Sequence, residues 1–142
     1  MSKPVTVAQT AAWLKEQDRI LILMHQYPDG DTIGSGFALC RALQALGKTV
    51  RTACHDVIPE KYAYMTDGVP QPAFEPDVIV AVDVADPKLL GESLQPLGDR
   101  VALCIDHHGS NKQYAQQLLL DANSTAAAML VAQVIDALGV EL

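Results

Sequence analysis

Four apolar runs are spaced along the chain, and each gives way abruptly to polar residues. Ile20–Met24, Val78–Val82 and Val101–Ile105 are short and continuous, as in strands buried on both faces. Thr49–Cys54 alternates apolar and polar residues and predicts a further strand, and Leu118–Leu120 a fifth. Helical spacing lies between these runs. Val7, Ala11, Ala12 and Leu14 mark a first helix over Val7–Glu16 with Thr6 as its N-cap. Ile33, Phe37, Ala38, Cys40, Leu43 and Leu46 mark a second, closed by Gly47. A short helix near Pro59–Met65 is followed by loop. Asp86-Pro87 opens another helix that ends around Leu97-Gly98. A last helix runs from about Thr125 to Leu138, with Asn123 or Ser124 as cap and Leu130, Val131, Val134, Ile135 and Leu138 as its apolar side. Strands alternating with helices predict one α/β domain over residues 1–142: a parallel sheet of about five strands with helices on both faces.

Three of the runs end in residues that carry chemistry. Ile20–Met24 ends in His25, then Asp29 and Asp31 within seven residues; Val78–Val82 ends at Asp83; Val101–Ile105 ends at Asp106-His107-His108. In an open α/β sheet, ligands bind beyond the carboxyl ends of the strands, where strand order reverses. Three such ends finishing in carboxylate or imidazole predict one site, with His25, Asp29 and Asp31 converging from a turn. Phosphoester hydrolysis requires neutralising a dianionic transition state and generating hydroxide at neutral pH. Two divalent cations about 3.5–4 Å apart accomplish both. Carboxylates suit Mn²⁺ and Mg²⁺, and imidazole shifts preference toward the transition metals. His25, Asp29, Asp31, Asp83 and His107 are the candidate ligands. Gly34 and Ser35 read in two ways: backbone N–H groups offered to phosphate at a helix N-terminus, or close helix–strand packing with an ordinary cap.

Composition narrows the partners. Hydrophobic residues make up 49% of the 142, charged residues 19%, and the formal net charge is −7. Such an acidic chain does not suit long duplex nucleic acid. Aromatics at 5% are too few for an extended stacking platform along single strands. No apolar run approaches the roughly 20 residues that span a bilayer. Cys40, Cys54 and Cys104 sit mostly inside apolar patterns, which predicts buried thiols and a reducing, cytoplasmic setting. No thiolate is positioned to join the candidate ligands, and no G-x-G-x-x-G comes after the first strand to mark a dinucleotide site.

HQYPDGDTIGS, VAVDVAD and IDHHGSN, in that order, resemble the DHH phosphoesterase superfamily, above all its oligoribonuclease (nano-RNase) and 3′-phosphoadenosine-5′-phosphate phosphatase branch. LLLDANSTAAAML is similar to the segment after the family's Asp-His-His, so the likeness covers essentially the whole chain. The resemblance implies that His25 and Asp29 hold one Mn²⁺ or Mg²⁺, that Asp31 and His107 hold the other, and that Asp83 bridges them. It implies that His108 faces the scissile phosphate and that Asp106 orients the imidazoles. Short oligoribonucleotides or small phosphorylated nucleotides are the implied substrates, with pyrophosphate or polyphosphate as the alternative within the superfamily. Gly30 departs from the family, which usually has a small non-glycine residue there. The family also supplies a further ligand Asp downstream and a second domain that grips substrate. The chain reaches Leu142 without either, so an incomplete DHH domain is expected. A non-catalytic metal- or nucleotide-binding module is the competing expectation. Apolar surface left by the second domain would favour a homodimer.

Overall fold

The structure, a computed structural model, describes residues 1–142. Its centre is a parallel sheet of six strands: β1 (Lys3–Pro4), β2 (Ile20–Leu23), β3 (Val50–Ala53), β4 (Val78–Val82), β5 (Val101–Asp106) and β6 (Gln117–Leu120). They lie in the order β1-β6-β5-β4-β2-β3. The strand absent from the sequence reading is β1. Two residues, one of them Pro4, carry no periodicity, and only pairing with Gln117 and Leu118 makes them a strand.

Four α-helices accompany the sheet: α1 (Val7–Lys15), α2 (Gly30–Ala45), α3 (Ala63–Thr66) and α4 (Ala127–Leu138). Because side chains alternate along a strand, the inner strands feed two cores. Ile20, Ile22, Val80, Val82, Leu103 and Ile105 pack with α1, α2 and α4 on one face. Leu21, Leu23, Ile79, Ala81 and Val101 pack with Leu90 on the other. That second cover is thin. The segment read as one helix from Asp86 to Gly98 is two 3-10 turns, Pro87–Leu90 and Gln95–Arg100. Asp86 does cap the first turn, accepting from the Lys88 N–H at 3.0 Å, but Gly91 in left-handed conformation interrupts it.

Caps fix the remaining boundaries. Thr6 and Gln9 form a reciprocal capping box at α1. Gly47 closes α2 at φ +84°, as its position predicts. The start of α2 lies three residues earlier than the apolar spacing indicates, because Asp29 is its N-cap and the first turn, Gly30-Asp31-Thr32, is polar. No helix is long and apolar enough to cross a membrane.

The chain leaves β2 through α2 to β3 on one side, then crosses to β4 on the other. β2 therefore pairs with both, and the order reverses beside it. The C-terminal ends of β2 and β4 flank that switch point.

Candidate metal centre

A cavity of about 450 Å³ opens over these strand ends, lined by His25, Asp29, Asp31, Asp83, Leu89, His107, His108, Thr125 and Ala126. His25 leaves β2 with its Nδ1 2.6 Å from the Gln26 carbonyl, which fixes Nδ1 as the protonated nitrogen. Its Nε2 faces Asp83 Oδ2 at 3.4 Å and Asp29 Oδ1 at 3.5 Å. From β5, His107 places Nε2 3.2 Å from Asp83 Oδ1 and 3.4 Å from Asp31 Oδ2. Two triplets result, His25–Asp29–Asp83 and Asp31–His107–Asp83, and each uses a different oxygen of Asp83.

Asp83 is buried and sits at φ +63°, a left-handed conformation that Asp tolerates better than most residues. Its N–H donates to the Ile105 carbonyl at 2.9 Å, which ties the turn to β5. Burial raises the Asp83 carboxyl above its ordinary range, and the neighbouring acids Asp31 and Asp29 add to this against the His25 contact. The Asp83 carboxylate in turn lifts the His25 imidazolium to about 9. Asp83 Oδ1 is buried without a hydrogen-bond partner. A buried orphan carboxylate oxygen flanked by an imidazole and a second acid is a donor set that suits a hard or borderline divalent cation.

The Asp-His-His turn is built inward from Asp106. Fully buried, it accepts from the His107 N–H at 2.8 Å, from His108 Nδ1 at 2.7 Å and from Asn111 Nδ2 at 2.9 Å. His108 is thereby held with Nδ1 inward, its side chain 43% exposed and lining the cavity.

A profile of the DHH family, N-terminal domain, matches residues 19–141. The chain belongs to that family. Over 130 residues this DHH domain is 35% identical to the bifunctional oligoribonuclease and PAP phosphatase NrnA of Thermus thermophilus, covering 86% of the chain but 38% of that protein. It superposes on an exopolyphosphatase-related protein from Bacteroides fragilis with a TM-score of 0.78 at 23% identity, covering 94% of the chain and 43% of its counterpart. The fold is also that of Thermus thermophilus RecJ in complex with Mn²⁺, with a TM-score of 0.57, 22% identity and coverage of 93% and 20%. The chain thus spans less than half the length of each of these relatives.

Several residues of this DHH domain stand differently from their sequence reading. Asp31 lies in the first turn of α2 rather than on an open turn, and only Asp29 stays at the boundary. Gly34 and Ser35 do not offer backbone to the cavity. The α2 ladder is closed from Ile33, whose N–H donates to the Asp29 carbonyl at 3.1 Å, so both fall in the second turn. Gly34 faces Met65, and Ser35 is buried with Oγ 3.5 Å from Asp31 Oδ1. Neither Asn123 nor Ser124 caps the last helix. α4 begins after Ala126, and its first two N–H groups, from Ala127 and Ala128, donate to the Asp31 carboxylate at 3.0 and 2.9 Å. Two acids of one PDGD turn therefore cap two different helices.

Thr32 was not apparent from sequence. Its buried hydroxyl donates to the Val82 carbonyl at 3.1 Å and accepts the His25 N–H at 3.3 Å, joining the ends of β2 and β4 across the switch point. No periodicity marks such a residue, because its role exists only once those strands are neighbours. Leu89, Thr125 and Ala126 reach the cavity for the same reason.

Proposed function

We propose that this DHH domain carries the two-cation centre of a phosphoesterase acting on short oligoribonucleotides or small phosphorylated nucleotides, with Mn²⁺ preferred and Mg²⁺ as the alternative. One observation supports this most directly: Asp83 Oδ1 is buried without a partner, and Asp83 is shared by the two triplets. His25, Asp29 and Asp83 would hold one cation, and Asp31, His107 and Asp83 the other. Bound there, divalent cations supply positive charge for phosphoryl oxygens and acidify water into a nucleophile.

The chain's own residues do the rest. Asp29, Asp31 and Asp83 give the cation-free cavity a field that repels phosphate, so substrate binding is conditional on cations. Asp106 fixes the His108 tautomer, leaving Nε2 as the free ring nitrogen. His108 thereby turns Nε2 toward the cavity, in place to meet a phosphate oxygen as negative charge develops. The α4 amides keep Asp31 in place at no cost when substrate arrives. Kinship with a bifunctional oligoribonuclease and PAP phosphatase supports nucleotide substrates, and three unpaired thiols suit a reducing cytoplasm.

The test is Mn²⁺-dependent hydrolysis of a diribonucleotide by the protein and by Asp83→Asn, a change the left-handed backbone accommodates. Turnover by the parent, lost in the variant together with cation binding, is the expected result. Cation binding without turnover of any nucleotide would make the chain a binding module instead.

A further inference from the structure

Three acids and three imidazoles line the cavity, and no Lys or Arg does. Contacts to the uncharged parts of a substrate would add discrimination beyond the phosphate. In the chain Tyr27 lies midway between the candidate ligands His25 and Asp29, with 79% of its surface exposed. Its backbone is at φ +51°, a region bulky residues rarely occupy. The Asp56 carboxylate holds it there, accepting the Tyr27 N–H at 2.6 Å. The preceding N–H, from Gln26, donates to the Leu89 carbonyl at 2.7 Å. Leu89 is itself 42% exposed and lines the cavity. The same loop is tied to His55 through Ser93, with Nδ1 and Oγ 2.7 Å apart. Gly91, at φ +87°, lies so close that a Cβ there would meet His55 Cβ at 2.6 Å. The loops after β2, β3 and β4 thus form one braced rim that carries the exposed Tyr27, two residues from each of His25 and Asp29 in the chain, and Leu89, which lines the cavity. A bulky exposed residue held in a costly backbone conformation, two residues from candidate ligands, points to a function for its ring.

We propose that Tyr27 and Leu89 form a wall on which the nucleobase adjoining the scissile phosphate rests, an inference that presupposes the phosphoester reading. One ring serves one base, which suits very short substrates and agrees with the scarcity of aromatics elsewhere.

The test is equilibrium binding in Mg²⁺ of a phosphorothioate-linked diribonucleotide containing 2-aminopurine, against the same molecule with an abasic ribose in its place. The parent is expected to bind the base-bearing ligand more tightly and to quench its fluorescence by stacking. Tyr27→Ala should weaken that ligand about tenfold and abolish the quench, while the abasic ligand and Mg²⁺ bind as before. Tyr27→Trp should restore the quench, and Leu89→Ser should weaken the base-bearing ligand selectively. Equal affinity of parent and Tyr27→Ala for the base-bearing ligand overturns the proposal, as does equal weakening of both ligands. If the parent binds neither ligand, the phosphoester reading itself fails. If it hydrolyses diribonucleotides with and without the base at the same KM, the wall alone is refuted.

Discussion

Removing the Asp31 carboxylate should destabilise the cation-free protein more than removing Asp29, although each belongs to one ligand triplet. Asp31 accepts two α4 N–H groups at 3.0 and 2.9 Å, and its side chain is 20% exposed. Asp29 accepts one N–H, from Thr32 at 3.0 Å, with its side chain 60% exposed. Hydrogen bonds to a charged group contribute roughly 1.5–3 kcal/mol when buried, and helix N-caps typically about 1 kcal/mol. Water can reach part of the vacated helix end, and loss of Asp31 also relieves its repulsion with Asp83. The net cost of Asp31→Ala is then about 1–2 kcal/mol, against about 0.5 kcal/mol for Asp29→Ala. In a domain of this size that lowers Tm by about 5 °C and about 2 °C respectively. Calorimetry in EDTA measures both, and amide exchange at Ala127 and Ala128 shows whether the loss is local to α4. If Asp31→Ala melts with Asp29→Ala, or if exchange at those two amides is unchanged, the carboxylate is not what anchors α4.

Three further outcomes are expected from the geometry. His25 titrates near 9 in the cation-free fold against 6.5 ordinarily. Its contribution to stability is therefore complete below about pH 6.5 and lost as pH rises through 9, and cation-free Tm should fall across that window. A cation must displace that proton, so Mn²⁺ affinity by calorimetric titration should rise up to about tenfold per pH unit over the same range; a flat profile would disprove the coupling. Thr32→Val deletes the hydroxyl joining the His25 N–H to the Val82 carbonyl, costing about 1–2 kcal/mol by chemical denaturation and weakening cation binding; unchanged affinity would show that strand ends hold position without it. His108→Gln should lower kcat on a diribonucleotide by about 10²–10³-fold while cation affinity stays constant. A parallel loss of affinity would make His108 a ligand, a role its place in the cluster with Asp83, Asp106 and His107 makes worth testing.

The amino-acid sequence by itself determined five of the six strands, the α/β class and the chemical inventory. Hydrophobic runs are local, and so are the residues that end them: ILILM before His25, VIVAV before Asp83 and VALCI before Asp106 are each readable without knowing what lies alongside. The apolar stripe of α4 was equally plain, and Leu130, Val131, Val134, Ile135 and Leu138 are all buried. What the sequence could not supply were relations between distant segments. A two-residue strand exists only through its partner. The cap of α4 comes from Asp31, far upstream in the chain. The start of α2 was hidden because its first turn is polar, serving the cavity rather than the core. Thr32, Leu89 and the bracing of Tyr27 acquire roles only when β2, β3 and β4 lie side by side. Apolar burial is dictated residue by residue along the chain. Which oxygen faces which nitrogen is set by strand order, and strand order is a property of the folded sheet.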